Sequence, residues 1–150
     1  MIQFDFSKCG LKEAELEDSA KEVTQTQDVL RKERESGEAG FWNLPFDEKT
    51  LVQCRNVSAD VRSRFQTLLV LGIGGSTVGL RALSRALWPA ENSLRLMIQE
   101  SPDPASVEKI TRVLDWRRTC INVISKSGDT IETLTLFEHF LKILIKKLKY

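Results

Sequence analysis

Three times between residue 66 and the last residue, a short apolar run is followed by a stretch with helical spacing. This alternation constrains the fold more than any other feature. The runs are QTLLVLG, LRLMIQ and TCINVIS; the stretches that follow are STVGLRALSRALW, DPASVEKITRVLDW and Thr130 to Tyr150. Apolar runs of strand length, bounded by glycine or polar residues, read as buried strands. The intervening stretches carry apolar residues at helical intervals: Leu83, Ala86 and Leu87 in the first, Val107, Ile110 and Leu114 in the second. In the third they are Leu134, Phe137, Leu141, Leu144 and Leu148. Asp103 followed by Pro104 is an N-cap with proline at the first helical position. Strand and helix in strict alternation predict an α/β fold, with parallel strands joined by right-handed crossovers.

Sheets of this kind bind ligands at the carboxyl ends of their strands, and two of the three strand ends have unusual composition. After the first strand comes GIGGSTVG, Gly72 to Gly79; after the third comes SKSGDT, Ser125 to Thr130. Glycines at 72, 74 and 75 let backbone N–H groups approach a ligand closely, because no Cβ intervenes. Ser76 then opens a helix whose first N–H groups have no partner within it, which favours an anion. The second loop repeats the device and adds side chains. Ser125, Ser127 and Thr130 offer hydroxyls, Lys126 offers charge, and Gly128 permits a tight entry into the helix. A phosphate monoester dianion would use all of these donors. A plain helix cap accounts for only one of the hydroxyls, and a tight strand-to-helix turn accounts equally well for the glycine loop taken alone. A P-loop needs Gly-Lys followed by Ser or Thr, and no lysine follows Gly74, Gly75 or Gly79. A dinucleotide fingerprint is met at Gly72 and Gly74 but has Thr77 in the third glycine position, with Glu100 as a candidate ribose-binding acid. That reading leaves SKSGDT unexplained.

The first part of the chain is different. Leu11 to Ser36 reads as a polar helix with a thin stripe, Leu16, Val23 and Leu30, suited to a surface rather than a core. Gly37 and Gly40 end it. GFWNLPF, Gly40 to Phe46, is an aromatic-rich connector expected to pin this arm to the main body, and Thr50 to Arg64 reads as a second helix with Leu51, Val52 and Val61 as its apolar positions. The expected division is a helical arm and connector over 1–64 and an α/β domain over 65–150. The formal net charge of +1 gives no support for a nucleic-acid partner, which calls for a basic excess. The densest basic group, Lys142, Lys146, Lys147 and Lys149, suits the C-terminal end of a helix. Three separated cysteines, Cys9, Cys54 and Cys120, with no Cys-x-x-Cys pair, read as reduced thiols, with Cys120 in the core. A single histidine, His139, argues against zinc. No apolar run approaches the roughly 20 residues that span a bilayer, and no signal peptide is visible. A soluble, cytoplasmic protein is expected.

At the two loops the sequence resembles the glucose-6-phosphate isomerase family. GIGGSTVG and SKSGDTIET, in that order, look like that family's two sugar-phosphate motifs, and GFWNLP and SPDPASVEKI look like its shorter bacterial members. The resemblance runs from about residue 36 to the end. It implies the SIS fold, a three-layer αβα sandwich with a parallel sheet, and the interconversion of glucose 6-phosphate and fructose 6-phosphate. By resemblance Ser125, Lys126, Ser127 and Thr130 hold the substrate phosphate, and Gly74, Gly75 and Ser76 line the sugar side. The family reaction is an aldose-ketose isomerisation: after ring opening, a glutamate moves a proton beside the carbonyl through an enediol. No metal or organic cofactor is implied.

The sequence departs from the family in what it lacks. The family's glutamate base, its glycine-arginine motif and its ring-opening histidine and lysine all lie beyond the second motif, and nothing here matches them. His139 and Glu132 are not substitutes by position; Glu132 is expected to brace the loop. The expectation is an N-terminal fragment with a truncated SIS domain and an incomplete sheet, which binds hexose 6-phosphate but turns over little or nothing. Leu134, Phe137, Leu141, Leu144, Ile145 and Leu148 should then be partly exposed, and the chain alone should be marginal or dependent on partners. The resemblance allows a homodimer in a full-length form and leaves the oligomeric state open. A non-catalytic sugar-phosphate-binding module and a different SIS phosphosugar isomerase are the alternatives.

Overall fold

The computed structural model describes all residues except 1–4, 6, 11, 39, 88–93 and 149–150. The expected helix start at Leu11, the helix end at Trp88, and the expectations for Lys149 and Tyr150 therefore lie outside the described residues. The chain falls into two compact units, Met1–Val52 and Gln53–Tyr150.

In the first unit, α1 (Glu13–Ser36) is exposed along almost its whole length, as its thin apolar stripe predicts. The Glu15 carboxylate accepts the Lys12 amide at 2.7 Å, and Gly37 ends the helix in the left-handed region, φ 85°, where glycine carries no steric cost. The connector Gly40–Phe46 is a 3-10 turn with no buried residue. Its Phe41 and Trp42 rings stack on each other at 5.1 Å, and Trp42 lines a shallow pocket with Leu30, Arg31 and Arg34 of α1.

Helix α2 (Glu48–Arg64) starts earlier than the apolar spacing suggests, because Asp47 caps it. Its carboxylate accepts the Thr50 amide at 3.0 Å and the Thr50 hydroxyl at 2.7 Å, and those bonds hold its pKa below the usual carboxylate value. Of the expected apolar positions only Val61 is half-buried; Leu51 and Val52 are exposed.

In the second unit the three strands are where the apolar runs place them: β1 (Thr67–Leu71), β2 (Arg95–Gln99) and β3 (Thr119–Val123). All pairs are parallel and the order is β2-β1-β3. The register sets Leu69 beside Met97 and Ile121, and Leu68 beside Leu96 and Cys120. Side chains alternate between faces along a strand, so these two rows lie on opposite sides of the sheet.

The Leu69 face carries the core. Leu69, Leu71, Val107, Leu114, Trp116, Leu136 and Phe140 form one buried cluster, which joins α4 (Pro104–Val113) and α5 (Ile131–Leu148) to the sheet. Asp103 caps α4 as expected, accepting the Ser106 amide at 2.8 Å. Trp116 sits in a short 3-10 turn after α4, with its ring 6.0 Å from that of Phe140. On the opposite face, α2 and the sheet enclose an open groove of about 680 Å³ that includes Val57, Val61, Leu68 and Cys120. Cys120 is thus half-buried in a groove rather than in the core, and burial pushes its thiol pKa up.

The apolar face of α3 differs from its sequence reading, whereas the row beside the buried stripe of α5 is partly exposed, as expected. In α3 (Gly75–Leu87), Leu83 and Leu87 are 60% and 74% exposed, and Ala86 is exposed as well. The stripe turned inward is Ile73, Ser76, Thr77, Leu80 and Ser84, because the glycine turn before α3 fixes its rotation. In α5 the buried stripe is Thr133, Leu136 and Phe140. The expected row beside it is only partly covered: Leu134 is 44% and Phe137 37% exposed, and Leu141, Leu144 and Leu148 are half-buried. The sheet is incomplete: among the described residues it has three strands, so both outer ones are edges, and Leu96, Met97, Ile98 and Ile121 remain half-buried.

Candidate functional site

The carboxyl ends of β1 and β3 lie side by side. The Ile124 amide donates to the Leu71 carbonyl at 2.8 Å, extending the ladder past both strands and joining the two loops. Gly72 is buried at this crossing. A Cβ there would stand 3.1 Å from the Ile124 carbonyl oxygen and 3.1 Å from Thr77 Cγ2. Gly74 adopts φ 57°, a conformation most side chains resist, and turns the chain into α3. Its carbonyl accepts the Thr77 and Val78 amides, both at 3.0 Å. A Cβ at Gly74 or Gly75 would meet nothing within 4 Å, so this side of the loop is open space beside the start of a helix.

The second loop is organised by its own side chains. Ser125 Oγ accepts the Gly128 amide at 2.9 Å and lies 3.2 Å from the Thr130 hydroxyl. Gly128 has φ 81°, which folds the loop back on Ser125. The Ser127 hydroxyl donates to the Asp129 carboxylate. Lys126 is exposed. Thr130 precedes α5, its carbonyl accepting the Leu134 amide at 3.0 Å. Ser125, Ser127 and Thr130 thus sit in one turn at the N-terminus of an 18-residue helix, where the macrodipole favours negative charge. The glycine turn that contains Gly74, Gly75 and Ser76 follows the neighbouring strand.

Two features escaped the sequence reading. Asp129 puts a carboxylate inside the hydroxyl-rich loop, where it holds Ser127 and opposes an incoming anion. The Glu100 carboxylate, at the end of β2, accepts the Thr77 hydroxyl at 2.5 Å and pairs with the Arg81 guanidinium. Thr77 and Arg81 are four residues apart and so share one helix face, which is the signal that points to an acidic partner. Glu100 is therefore committed to α3, which removes it as a ribose-binding acid. Glu132 is exposed in the first turn of α5 and makes no hydrogen bond to the loop among the described residues, so it does not brace it. His139 is exposed, its ring edge-on to Phe140 at 5.5 Å. Among the described residues no three His, Cys, Asp or Glu side chains group as a metal site, and no helix is long and apolar enough to cross a membrane.

A parallel α/β domain with two adjacent glycine- and hydroxyl-bearing turns at its strand ends defines the class. Within that class, residues 49–150 match the family model for phosphoglucose isomerase, and the chain belongs to that family. It is 32% identical over 151 residues to a glucose-6-phosphate isomerase of Carboxydothermus hydrogenoformans, an alignment covering 91% of this chain and 32% of the relative. It is 31% identical over 163 residues to the glucose-6-phosphate isomerase of Enterococcus faecalis, covering 97% of this chain and 36% of the relative. Among solved structures, a glucose-6-phosphate isomerase from Chlamydia trachomatis superposes with a TM-score of 0.62 at 28% identity, over 67% of this chain and 20% of that one. A hypothetical protein from Thermus thermophilus gives a TM-score of 0.63 at 29% identity, over 85% and 32% of the two chains. The chain thus spans about a third of the length of the curated relatives it matches.

Proposed function

We propose that this chain carries the sugar-phosphate-binding loops of a glucose-6-phosphate isomerase, in an SIS-type domain over 65–150 that follows a helical arm over 1–64. Ser125, Lys126, Ser127 and Thr130 take the phosphate of a hexose 6-phosphate, and Gly74, Gly75 and Ser76 line the sugar side. The observation that carries this reading is the contact between the two loops at Gly72 and Ile124. A ligand held by one loop would then lie beside the other. The Ser125 and Thr130 hydroxyls, now facing each other at 3.2 Å, would each turn to a phosphate oxygen. Charge-assisted hydrogen bonds are the stronger kind, so the exchange is favourable. Ser127 would leave Asp129 at a higher cost, because its present partner is also charged.

Isomerisation needs a positioned base beside the carbonyl. The acids near these loops do not supply one: Glu100 is paired with Arg81, Asp129 holds Ser127, and Glu132 is exposed on α5. This chain alone therefore binds and orients the substrate while turnover stays negligible, the base and the ring-opening groups coming from the part of the family's length it does not span. The same shortage of acids favours, as a second reading, a sugar-phosphate-binding module without catalysis. Operation in the cytoplasm, in hexose phosphate metabolism and without an organic cofactor, belongs to the same proposal.

The test is an amide proton–nitrogen NMR titration of the whole chain with fructose 6-phosphate, and separately with inorganic phosphate and a nicotinamide dinucleotide. Saturable shifts at 125–130 and 74–76 with the sugar phosphate are expected, weaker ones at 125–130 alone with phosphate, and none with the dinucleotide. A dispersed spectrum in which the dinucleotide moves these signals and fructose 6-phosphate does not would overturn the assignment.

A further inference from the structure

The two loops each open a helix, and the two helix starts are not equivalent. Both offer unpaired amides and the positive end of a macrodipole to an anion. From Gly72 to Leu80 the chain carries no charged residue. The charge at that turn comes instead from the end of the neighbouring strand. The Glu100 carboxylate, one residue past β2, reaches the first turn of α3. There it accepts the Thr77 hydroxyl at 2.5 Å and pairs with the Arg81 guanidinium. Thr77 is wholly buried, and the Glu100 side chain is 22% exposed. A carboxylate anchored in this way already stands where an anion would bind at the start of α3. The second loop differs. Its carboxylate, Asp129, is exposed and held by a local bond to Ser127, so it is free to turn to solvent when a ligand arrives.

The strand order β2-β1-β3 sets Glu100 and the hydroxyl-rich loop on opposite sides of the glycine turn. Two strand spacings, roughly 10 Å, separate the ends of β2 and β3, a distance suited to a hexose with a phosphate at one end. A sugar phosphate held at 125–130 and laid across 74–76 points its far end toward Glu100. A hydroxyl there can donate to the carboxylate. A second phosphate there meets a like charge in a partly desolvated position, where repulsion is stronger than in water.

Resting on the phosphate assignment made above, we propose that Glu100 is a specificity-determining residue. Its carboxylate fills the anion position at the start of α3, reserves the glycine turn for the uncharged end of the sugar, and rejects a second phosphate. Arg81 belongs to the same device. Paired with Glu100 it is withheld from the ligand; without Glu100 its half-exposed guanidinium is available to hold a phosphate.

The test is an amide proton–nitrogen NMR titration of the whole chain with fructose 6-phosphate, fructose 1,6-bisphosphate and inorganic phosphate. The parent should prefer the monophosphate. Glu100→Gln keeps an acceptor for the Thr77 hydroxyl and removes the charge; it should shift the preference about five- to tenfold toward the bisphosphate, the worth of a charge well placed at a helix start. In that variant inorganic phosphate should move 74–76 as well as 125–130. Arg81→Gln, a change at an exposed position, leaves the carboxylate without its cation and should widen the preference for the monophosphate. A preference that is the same in all three chains overturns the proposal. So does a Glu100→Gln chain in which both sugar phosphates weaken by one factor, the result of a loosened α3 with no part in selection. A dispersed parent spectrum in which neither sugar phosphate moves 125–130 overturns the phosphate assignment itself, and this proposal with it, so the two failures are distinguishable.

Discussion

Replacing Gly72 by alanine tests the contact on which the site depends. The added Cβ would meet the Ile124 carbonyl oxygen at 3.1 Å, Thr77 Cγ2 at 3.1 Å and Ser76 Cβ at 3.3 Å. Each is a few tenths of an ångström inside ordinary van der Waals contact, and none of the three neighbours can easily yield. Ile124 is tied to Leu71 by a 2.8 Å ladder bond. Thr77 is wholly buried, and its hydroxyl is anchored to Glu100. Ser76 is fixed by the turn into α3. Overpacking against such neighbours costs about 1–3 kcal/mol, a large part of the roughly 5–15 kcal/mol that holds a domain together. The matched control is Gly75→Ala, whose Cβ would meet nothing within 4 Å and which, at the first position of α3, should be neutral or slightly stabilising. Urea unfolding followed by circular dichroism should therefore show a clear loss for Gly72→Ala and none for Gly75→Ala. A Gly72→Ala chain as stable as the parent would mean that the loops do not touch as described, and the two-loop site would lose its foundation.

Phe140 is completely buried between Trp116 and the sheet, and Phe140→Ala should cost about 3–5 kcal/mol, enough to leave much of the chain unfolded in a denaturant titration. Asp103→Ala removes the side-chain cap of α4 and should lower stability by about 1 kcal/mol, with Asp103→Asn nearly neutral. Burial raises the Cys120 pKa, so its thiol should react with an alkylating reagent more slowly than a solvent-exposed thiol at pH 8, as read by mass spectrometry of the modified peptides. The linkage sign follows from the same shift: the contribution of Cys120 to stability is complete below the usual thiol pKa and declines as pH rises through its raised value, so Cys120→Ala should flatten the alkaline side of the stability profile. Asp129→Asn removes a negative charge from the phosphate loop and frees Ser127; it should tighten fructose 6-phosphate binding severalfold in the NMR titration.

The parts of this fold legible in the sequence are those governed by local rules. The three strands are legible as short, nearly continuous apolar runs, although only the central β1 is buried along most of its length, and Asp103–Pro104 announces α4 because capping chemistry acts within one turn. The two loops were legible for the same reason, since glycine at positive φ and hydroxyls at a helix start leave a local trace. The rotation of the helices was not. In α3, composition favours Leu83 and Leu87 as the inner face, but the turn at Gly74 decides which side meets the sheet and buries Thr77 instead. Trp116 reads as the end of a helix, yet Asp115 caps a new 3-10 turn by accepting the Arg117 amide at 3.1 Å and swings the indole into the core. Glu100 has no local signal for its role, because its partners lie across a crossover, twenty-three residues away at Thr77.

Site and stability draw on the same few residues, and this explains why the chain should be both a preformed binder and a marginal fold. The hydroxyls of the second loop bond to one another and to Asp129 in the absence of a ligand, so the loop is ordered without an anion and little entropy remains to be lost when one binds. The order depends on Ile124 and Gly72, and these depend on β1, which among the described residues has a strand on each side. Beyond β3 no strand among the described residues continues the sheet, and the second stripe of α5 stays in contact with water. Each large apolar side chain left so forgoes about 1.5–3 kcal/mol of burial, and a few of them together rival the whole stability of an ordinary domain. Covering that stripe should therefore raise the melting temperature and tighten the loops together. A melting temperature that rises as fructose 6-phosphate is added is the signature of that coupling. Tight, concentration-independent binding by a strictly monomeric chain with a sharp, reversible, high-temperature unfolding transition would contradict it.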